Sequence, residues 1–355
     1  MAAGRPPGHR HPVGAARFTA AAGLATVAGL ALAACSQGPA NPVNPAAVSS
    51  PAAASTGPVQ GKAGQGSPAR PIAPLTGLPA ASAADTTRPA VALAVAGSSP
   101  QGLRSADVVF EEITTPVRYI AVYQSQTAAG VGPITTTRPA DGRMLSVLHP
   151  LFGYAGGSGA AVRILDKTKV TDLGGLRYPS LYTSTPQGLM ASTQTMLAAA
   201  KDGPPPPLFS YRGTGANTGD RVATTGTWQA ASVQLTIPGA AAQTWNYDPH
   251  TGRWSQSGGP AAQVANLVIQ TVPYKAAFLD QRQGITAPSA VVTGTGNAEV
   301  LSGDMAAAGT WAKRSLAGVT NYFDKSGSPI ELEPGPTWVV LVPPGTQVKT
   351  TGGRS

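Results

Sequence analysis

The sequence predicts an α+β fold, in which a mixed α/β N-terminal lobe precedes an antiparallel, β-rich C-terminal lobe. Short apolar runs alternate with helix signals between residues 72 and 212, whereas residues 226–349 show strand and turn signals. Consecutive prolines at positions 204–207, followed by a Gly/Thr/Asn stretch, favour an extended connection between these regions. These observations set the predicted boundaries of the two lobes.

Residues 1–34 have the pattern of a bacterial lipoprotein signal. Arg5, Arg10 and Arg17 form a basic region without acidic residues, and an apolar run follows at 18–34. This run is short for a hydrocarbon core of about 30 Å and has no basic stop-transfer flank, which disfavours a retained membrane helix. Its end, LAAC at 32–35, resembles the bacterial lipobox, in which the cysteine is lipidated after cleavage.

Cys35 is the only cysteine in the sequence, so the chain can form neither an internal disulfide nor a cysteine-based zinc site. The alternative is an ordinary signal peptide that leaves Cys35 as a free thiol, which would be reactive in an oxidising compartment. We therefore expect Cys35 to be lipidated and to attach the protein to the extracytoplasmic face of the cell membrane. Residues 35–71, rich in Ala, Pro and Ser, predict a disordered linker behind this anchor.

Charge and residue usage exclude several classes of function. The formal net charge is +9, but part of it belongs to the signal and the linker, and no Lys/Arg cluster with interleaved aromatic residues follows. We therefore expect no nucleic-acid partner. His149 and His250 are the only histidines beyond the signal, so the sequence predicts no metal site and no cofactor.

Strands and helices alternate in the first lobe. RPAVALAVAG at 88–97 predicts a buried strand, and residues 105–126 predict two strands joined at Thr114-Thr115-Pro116, with Glu112 opposite Arg118. The remaining predicted elements are a short helix at 138–150, a strand at 151–157 and a second helix at 158–170 with Ser158 as its cap. Glycines at 156–159 lack the spacing of a phosphate-binding loop and indicate a tight turn.

Strands separated by turns make up the second lobe. The predicted segments are two aromatic strands at 243–256, a buried strand at 263–274, two short strands at 289–304 and three strands at 319–344. No fixed repeat period is present, so the sequence supports neither a propeller nor a solenoid.

Five polar residues around the predicted hairpin form a candidate ligand-binding set: Asp107, Glu111, Glu112, Arg118 and Arg138. Side chains alternate along a strand, so Glu112 lies on one face and Asp107 and Glu111 on the other. The adjacent glutamates therefore cannot act as a pair. No nucleophile motif is present, and no catalytic residue is assigned.

Arg138 is placed at the start of a predicted helix, beside three threonines. Free backbone N–H groups at a helix start favour an anion, such as a carboxylate or phosphate of an envelope ligand. The alternative is a structural role, in which Arg138 pairs with an inward carboxylate.

Several motifs resemble the YerB-like lipoproteins, a bacterial family known as domain of unknown function 3048. In the first half these are PLTGLP at 74–79, GLRSADVVFEE at 102–112 and VGPITTTRP at 131–139. In the second half they are VVTGTGNAEVLSGD at 291–304, GTWAK at 309–313 and GSPIELEPGPTWVVLVP at 327–343. The chain departs from the family pattern at Ala96-Gly97, where Asp-Asn is usual, and at Thr135, where the family has a second arginine. The resemblance implies architecture and location, because the family has no agreed activity.

Two functional hypotheses follow. In the first, the protein is a lipid-anchored binding or scaffolding module for an unknown envelope ligand or protein partner, with a concave pocket around Arg118 and Arg138. In the second, it is an envelope hydrolase acting on peptidoglycan or another glycan, with acidic residues of the first lobe as general acid or base. Glycosidase chemistry requires two carboxyl groups across one cleft.

Overall fold

A computed structural model describes residues 70–200, 203–213, 227–280 and 284–352. The predicted signal, Cys35 and nearly all of the predicted linker lie outside these residues. Among the described residues, no helix is long and apolar enough to cross a membrane.

Short helices and strands alternate in the first half of the described chain. The helices are α1 (Ala84–Thr87), α2 (Pro139–Leu145), α3 (Gly159–Leu165) and α4 (Thr193–Leu197). The strands are β1 (Val91–Ala96), β2 (Val108–Glu112), β3 (Arg118–Tyr123), β4 (Leu151–Gly153), β5 (Thr171–Asp172), β6 (Tyr182–Thr185) and β7 (Gly188–Ala191).

Strands make up the regular structure of the second half. They are β8 (Thr227–Gln229), β9 (Ser232–Thr236), β10 (Gln243–Asp248), β11 (Arg253–Gln256), β12 (Asn266–Thr271) and β13 (Tyr274–Asp280). The remaining strands are β14 (Ile285–Ala290), β15 (Gly294–Ser302), β16 (Met305–Lys313), β17 (Asn321–Asp324), β18 (Thr337–Val342) and β19 (Gln347–Thr351).

Several sequence predictions for the first half are confirmed. The β2–β3 hairpin has the predicted register, with Glu112 opposite Arg118. Helix α3 begins after Ser158, whose hydroxyl accepts a hydrogen bond from the Ala161 N–H at 3.2 Å. Helix α2 is shorter than predicted, because the chain leaves the helical conformation before Pro150 and His149 adopts a left-handed φ of 48°.

Eleven strands of the described chain form one mixed sheet. Its order is β17-β16-β15-β12-β18-β2-β3-β1-β4-β5, with β8 paired to β16. Strand β18 runs parallel to both of its neighbours, β12 and β2. The sheet therefore joins strands from both sides of the predicted boundary between the lobes.

The second half is rich in strands, as predicted, but it is not wholly antiparallel. Strands β12 and β18, with the sequences NLVIQT and TWVVLV, form a parallel pair and are almost entirely buried. Strands that are buried on both faces have continuous apolar runs rather than alternation. Such runs predict burial but do not distinguish parallel from antiparallel pairing, which explains the difference.

Both faces of the mixed sheet are covered. Val109 belongs to a buried cluster that includes Trp245 of β10, in the four-stranded antiparallel sheet β11-β10-β9-β19. Its neighbour Val108 belongs to a second cluster, which includes Leu145 of α2. Strand β2 therefore lies in the central layer of the molecule, and alternate side chains of β2 enter opposite cores.

Candidate functional site

The structure divides the five predicted site residues among three locations. Glu112, Arg118 and Arg138 lie together on the α2 side of the mixed sheet. Glu111 lies on the opposite face, against β10 and β18. Asp107 precedes β2 and binds the chain just after β3. The prediction that the two glutamates face opposite sides is thus confirmed.

Arg118 lies at the centre of a buried ion network and is 2% exposed. Its Nη1 donates to Glu112 Oε2 at 2.6 Å and to Asp141 Oδ1 at 2.7 Å, and its Nη2 donates to Asp141 Oδ2 at 2.9 Å. Burial disfavours the charged guanidinium, but the attraction of Asp141 and Glu112 outweighs this cost and raises the pKa of Arg118. The guanidinium remains charged and is held by its two carboxylates.

Arg138 is the second cation of this network and is held less completely. Its Nη1 donates to the carbonyl of Pro288 at 3.0 Å and lies 3.9 Å from Glu112 Oε2. Burial, and then repulsion by Arg118, lower the pKa of Arg138. Its Nε and the Nε of Arg118 are buried without a hydrogen-bond partner among the described residues.

The start of α2 already holds an internal anion. The Asp141 carboxylate accepts a hydrogen bond from the Arg138 backbone N–H at 2.8 Å and from the Thr137 hydroxyl at 3.1 Å. The same carboxylate pairs with Arg118. The position proposed from the sequence for a ligand anion is therefore occupied by a side chain of the helix itself.

Asp107 lies just before β2 and binds the chain just after β3, next to the last residue pair of the β2–β3 hairpin. Its carboxylate accepts hydrogen bonds from the backbone N–H groups of Gln124 and Ser125, at 2.5 and 2.7 Å. Burial raises the pKa of Asp107, while the hydrogen bonds from Ser125 and Gln124 counteract this rise. These contacts assign Asp107 a role in fixing the end of β3.

Glu111 lies at a cleft between the mixed sheet and the four-stranded sheet. The cleft has a volume of about 560 Å³ and is lined by Glu111 and Tyr119, by the segment before β10, and by residues 256–261. This volume lies within the range of about 300–1,000 Å³ that is typical of small-molecule sites. We call this feature the Glu111 cleft.

Neutral donors hold the Glu111 carboxyl group. Oε1 accepts a hydrogen bond from Gln243 Nε2 at 2.5 Å, and Oε2 accepts one from Trp338 Nε1 at 2.7 Å. The residue is 1% exposed. Burial raises the pKa of Glu111 to about 7, and the two hydrogen bonds only partly counteract this effect. Glu111 is therefore poised to gain or lose a proton near neutral pH.

Another residue of the cleft lining carries an unsatisfied polar group. Gln256, the last residue of β11, lines the cleft, and its Oε1 is buried without a hydrogen-bond partner among the described residues. This oxygen lies against Gly259, where an added Cβ would come within 2.1 Å of it. Buried polar atoms are normally hydrogen-bonded, so Gln256 Oε1 is an unsatisfied acceptor, covered by Gly259, beside the cleft.

The structure also describes two positions that depart from the family pattern, Gly97 and Thr135. Gly97 lines the Glu111 cleft, and an added Cβ would lie 2.1 Å from the carbonyl oxygen of Val117. No larger residue fits there without a shift of the backbone. The backbone of Thr135 is hydrogen-bonded to two neighbouring segments. Its N–H donates to the Ala94 carbonyl, and its carbonyl accepts from the Ala155 N–H, both at 2.8 Å.

A second groove, of about 730 Å³, is lined by Glu299, Asp324 and part of β19. Its carboxylates are engaged by the protein, as Glu111 is: Glu299 accepts a hydrogen bond from Thr350, and Asp324 accepts hydrogen bonds from Ser326 and Ser328. Among the described residues, no buried polar atom without a partner lines this groove. The Glu111 cleft is therefore the better candidate.

Sequence reasoning missed Asp141, Gln243 and Trp338. Asp141 carried a usable signal, because an acidic residue at the third position of a helix commonly returns to the backbone of the cap. Gln243 and Trp338 are 132 and 227 positions from Glu111, and no local pattern links them to it. Within the described part of the chain, no group of three or more His, Cys, Asp or Glu side chains is arranged to hold a metal ion.

Comparisons with known proteins agree with this architecture. Residues 75–204 match the N-terminal domain, and residues 233–339 the C-terminal domain, of the family described as "Protein of unknown function (DUF3048)". No curated protein matches the chain. The crystal structure of YerB protein from Bacillus subtilis is similar, with 20% sequence identity, a TM-score of 0.63, and coverage of 79% of this chain and 100% of that one. At this identity the structural match shows the fold alone. Together, the two domain matches show that the chain belongs to the DUF3048 family, whose N- and C-terminal domains it carries in that order.

Proposed function

We propose that the protein is a lipoprotein of the cell envelope that binds a ligand in the Glu111 cleft. In this proposal residues 1–34 are a cleaved signal peptide, and lipid on Cys35 attaches the protein to the extracytoplasmic face of the membrane. Residues 35–71 act as a tether, with the two family regions as lobes that form the two walls of the cleft. The lipobox-like LAAC sequence at 32–35 supports the anchor.

The observation that carries the ligand site is one cavity of about 560 Å³ whose lining brings polar residues of both family regions together. Glu111 is held by neutral donors and changes charge near pH 7, and Gln256 Oε1 has no partner among the described residues. Both lie in a cleft large enough for a small molecule. In the network around Arg118 the guanidinium is paired with Glu112 and Asp141, while the Nε atoms of Arg118 and Arg138 have no hydrogen-bond partner among the described residues.

Binding is favoured over hydrolysis by the number of acidic groups at the cleft. Of the described residues that line it, Glu111 is the single carboxylate. Glu112, its neighbour in sequence, points to the opposite core and is committed to Arg118. A glycosidase needs two carboxyl groups about 5–9.5 Å apart across one cleft, so the hydrolase remains the second candidate.

A thermal-shift screen with a blocked cleft tests this proposal. The full-length protein is heated with peptidoglycan fragments, anionic sugars, nucleotides and neutral peptides. A ligand at about 100 times its dissociation constant adds roughly 2.7 kcal/mol, which raises the melting temperature by roughly 5–10 °C in a domain of this size.

Ala241→Trp provides the decisive variant, because Ala241 is exposed and lines the cleft. We expect it to abolish the ligand-induced shift without lowering the melting temperature of the free protein. Ala81→Trp, also at an exposed alanine, is the matched control and should keep the shift. A shift that survives Ala241→Trp would place the ligand elsewhere and reject the cleft as the site.

A further inference from the structure

We infer that an exposed patch around Leu176 docks on the anionic headgroups of a lipid bilayer. The patch consists of Arg163, Leu176, Arg177 and Tyr178, and we call it the Leu176 patch. None of its residues belongs to the described lining of the Glu111 cleft. This surface is therefore separate from the proposed ligand site.

Leu176 protrudes into solvent from the loop between β5 and β6. The residue is 88% exposed, against 40% for Leu316, another exposed leucine of the described chain. Tyr178, two positions later, is exposed as well. A leucine that is exposed alone is common on protein surfaces, so the side chains around Leu176 decide what it can bind.

Arg163 and Leu176 both lie against the short loop that precedes α3. A Cβ added at Gly156 would be 3.8 Å from Leu176 Cδ1, and a Cβ added at Gly159 would be 3.3 Å from Arg163 Nη1. The Cα atoms of these glycines are three positions apart and thus separated by at most about 11 Å. An exposed arginine of a second element is therefore close to the protruding leucine.

The segment 163–178 has a basic surface. Arg177 remains 61% exposed at its side chain, although its Nη1 lies 3.3 Å from Asp172 Oδ2. Lys167 and Lys169 are exposed too. With four basic residues against two acidic ones, the segment has a net charge of +2. Basic residues of this kind are attracted to a surface of anionic lipid.

A bilayer fits the Leu176 patch better than a protein partner does. One leucine and part of one tyrosine are too little for the apolar centre of a standard protein interface, which buries about 800 Å² on each partner. In a bilayer, a leucine can enter the acyl boundary, a tyrosine ring lies at the headgroup level, and arginines pair with lipid phosphates. The proposed lipid on Cys35 would keep the patch within reach, since a flexible linker of the predicted length spans roughly 30–36 Å on average.

Vesicle sedimentation with residues 36–355 tests this inference. Residues 65–355 form one compact unit, so this chain keeps the folded part whole while it lacks Cys35. The vesicles contain either phosphatidylcholine alone or phosphatidylcholine with an equal amount of anionic phosphatidylglycerol. We expect at least about tenfold more binding to the anionic vesicles, and loss of this preference at high salt, which screens exposed charges.

Leu176→Ser should lower the binding to anionic vesicles about tenfold, because the apolar side chain no longer gains by leaving water. Leu316→Ser, at the other exposed leucine and close to Arg314, is the matched control and should bind as the native chain does. Arg163→Gln combined with Arg177→Gln should reduce the preference for anionic lipid. All these side chains are exposed, so the melting temperature of each variant should equal that of the native chain.

Equal binding to both kinds of vesicle would overturn the inference, and so would binding by Leu176→Ser that equals that of the native chain or of Leu316→Ser. Absence of any vesicle binding would also overturn it and would leave the Leu176 patch as a surface for a protein partner. The tested chain lacks Cys35, and its variants leave the Glu111 cleft intact. These outcomes are therefore independent of the proposed lipid anchor and of the proposed ligand site.

Discussion

Two adjacent glutamates of one strand show how strongly the local environment decides the chemistry of a residue. Glu112 pairs with Arg118 and also accepts a hydrogen bond from the Ala290 N–H at 3.0 Å. Glu111, one position earlier, has no charged partner, and burial raises its pKa to about 7 although hydrogen bonds from Trp338 and Gln243 partly counteract the rise. The same residue type is thus a structural counter-ion on one face of β2 and a proton-exchanging group on the other.

The raised pKa of Glu111 predicts a pH-dependent stability. The folded protein binds the proton more tightly than the unfolded chain, whose pKa is 4.5, so the contribution is fully present below pH 4.5 and is lost as pH rises through about 7. The free energy of unfolding should fall by roughly 3 kcal/mol over this interval on account of Glu111. Urea unfolding at pH 4.5 and 8 measures the difference.

Glu111→Gln should remove this part of the pH dependence, whereas Glu331→Gln, on the loop before β18, serves as a control that should retain it. Other buried carboxyls, such as Asp107, also contribute, so the comparison between native protein and variant isolates Glu111. An equal pH dependence in native protein and Glu111→Gln would show that Glu111 ionises at its ordinary pKa.

The sequence predicted part of this residue-level arrangement. Strand alternation was sufficient to place Glu111 and Glu112 on opposite faces, and the hairpin loop was sufficient to pair Glu112 with Arg118. Alternation does not report which partners come from distant segments. The sequence therefore left open a pocket at Arg118 and Arg138 or a structural role for Arg138, whereas in the structure both arginines lie beside Glu112, Asp141 pairs with Arg118, and the cleft lies at Glu111.

At the scale of elements, α2 is held to the mixed sheet by a charged connection as well as by apolar packing. Asp141 binds Arg118 of β3 through two hydrogen bonds and also accepts one from the backbone at the start of α2. A short helix gains little stability by itself, so this contact and the burial of Leu145 fix its position.

Asp141→Asn should therefore be strongly destabilising. It retains the size of the side chain but leaves two buried arginines with one carboxylate, and breaking a buried ion pair costs about 3–5 kcal/mol. Chemical unfolding of the variant measures the loss. Asp166→Asn, at the exposed end of α3, is the control and should change the free energy of unfolding by less than about 0.5 kcal/mol. Equal effects of the two substitutions would contradict the role of Asp141.

Local patterns predicted elements better than their pairing. Strands β1, β2 and β3 and the cap of α3 follow from apolar runs and from Ser158, which are signals within a few residues. The parallel pairing of β18 with β12 and β2 depends on how distant segments meet. No periodicity of the TWVVLV segment encodes that choice.

At the scale of the whole molecule, the proposed membrane anchor, Cys35, lies outside the described chain. Cys35→Ser should move the protein from the membrane fraction to the soluble fraction, because several acyl chains, at about 0.8 kcal/mol per buried CH₂, would be lost. Cell fractionation and mass spectrometry of the N-terminal peptide measure this change. Ser36→Ala is the matched control and should stay with the membrane. Equal membrane recovery of native protein and Cys35→Ser would reject lipidation as the anchor.

The pairing of β18 with β2 also constrains how the chain reaches its native state. Trp338 and Glu111, which meet across these strands, are 227 positions apart, so β2 is synthesised long before its neighbour exists. Until β18 arrives, β2 has an open hydrogen-bonding edge, and open edges recruit other strands. Such high contact order slows folding and extends the time in which a nascent chain can aggregate. A chain that is truncated before β18 would thus keep its central layer open along β2.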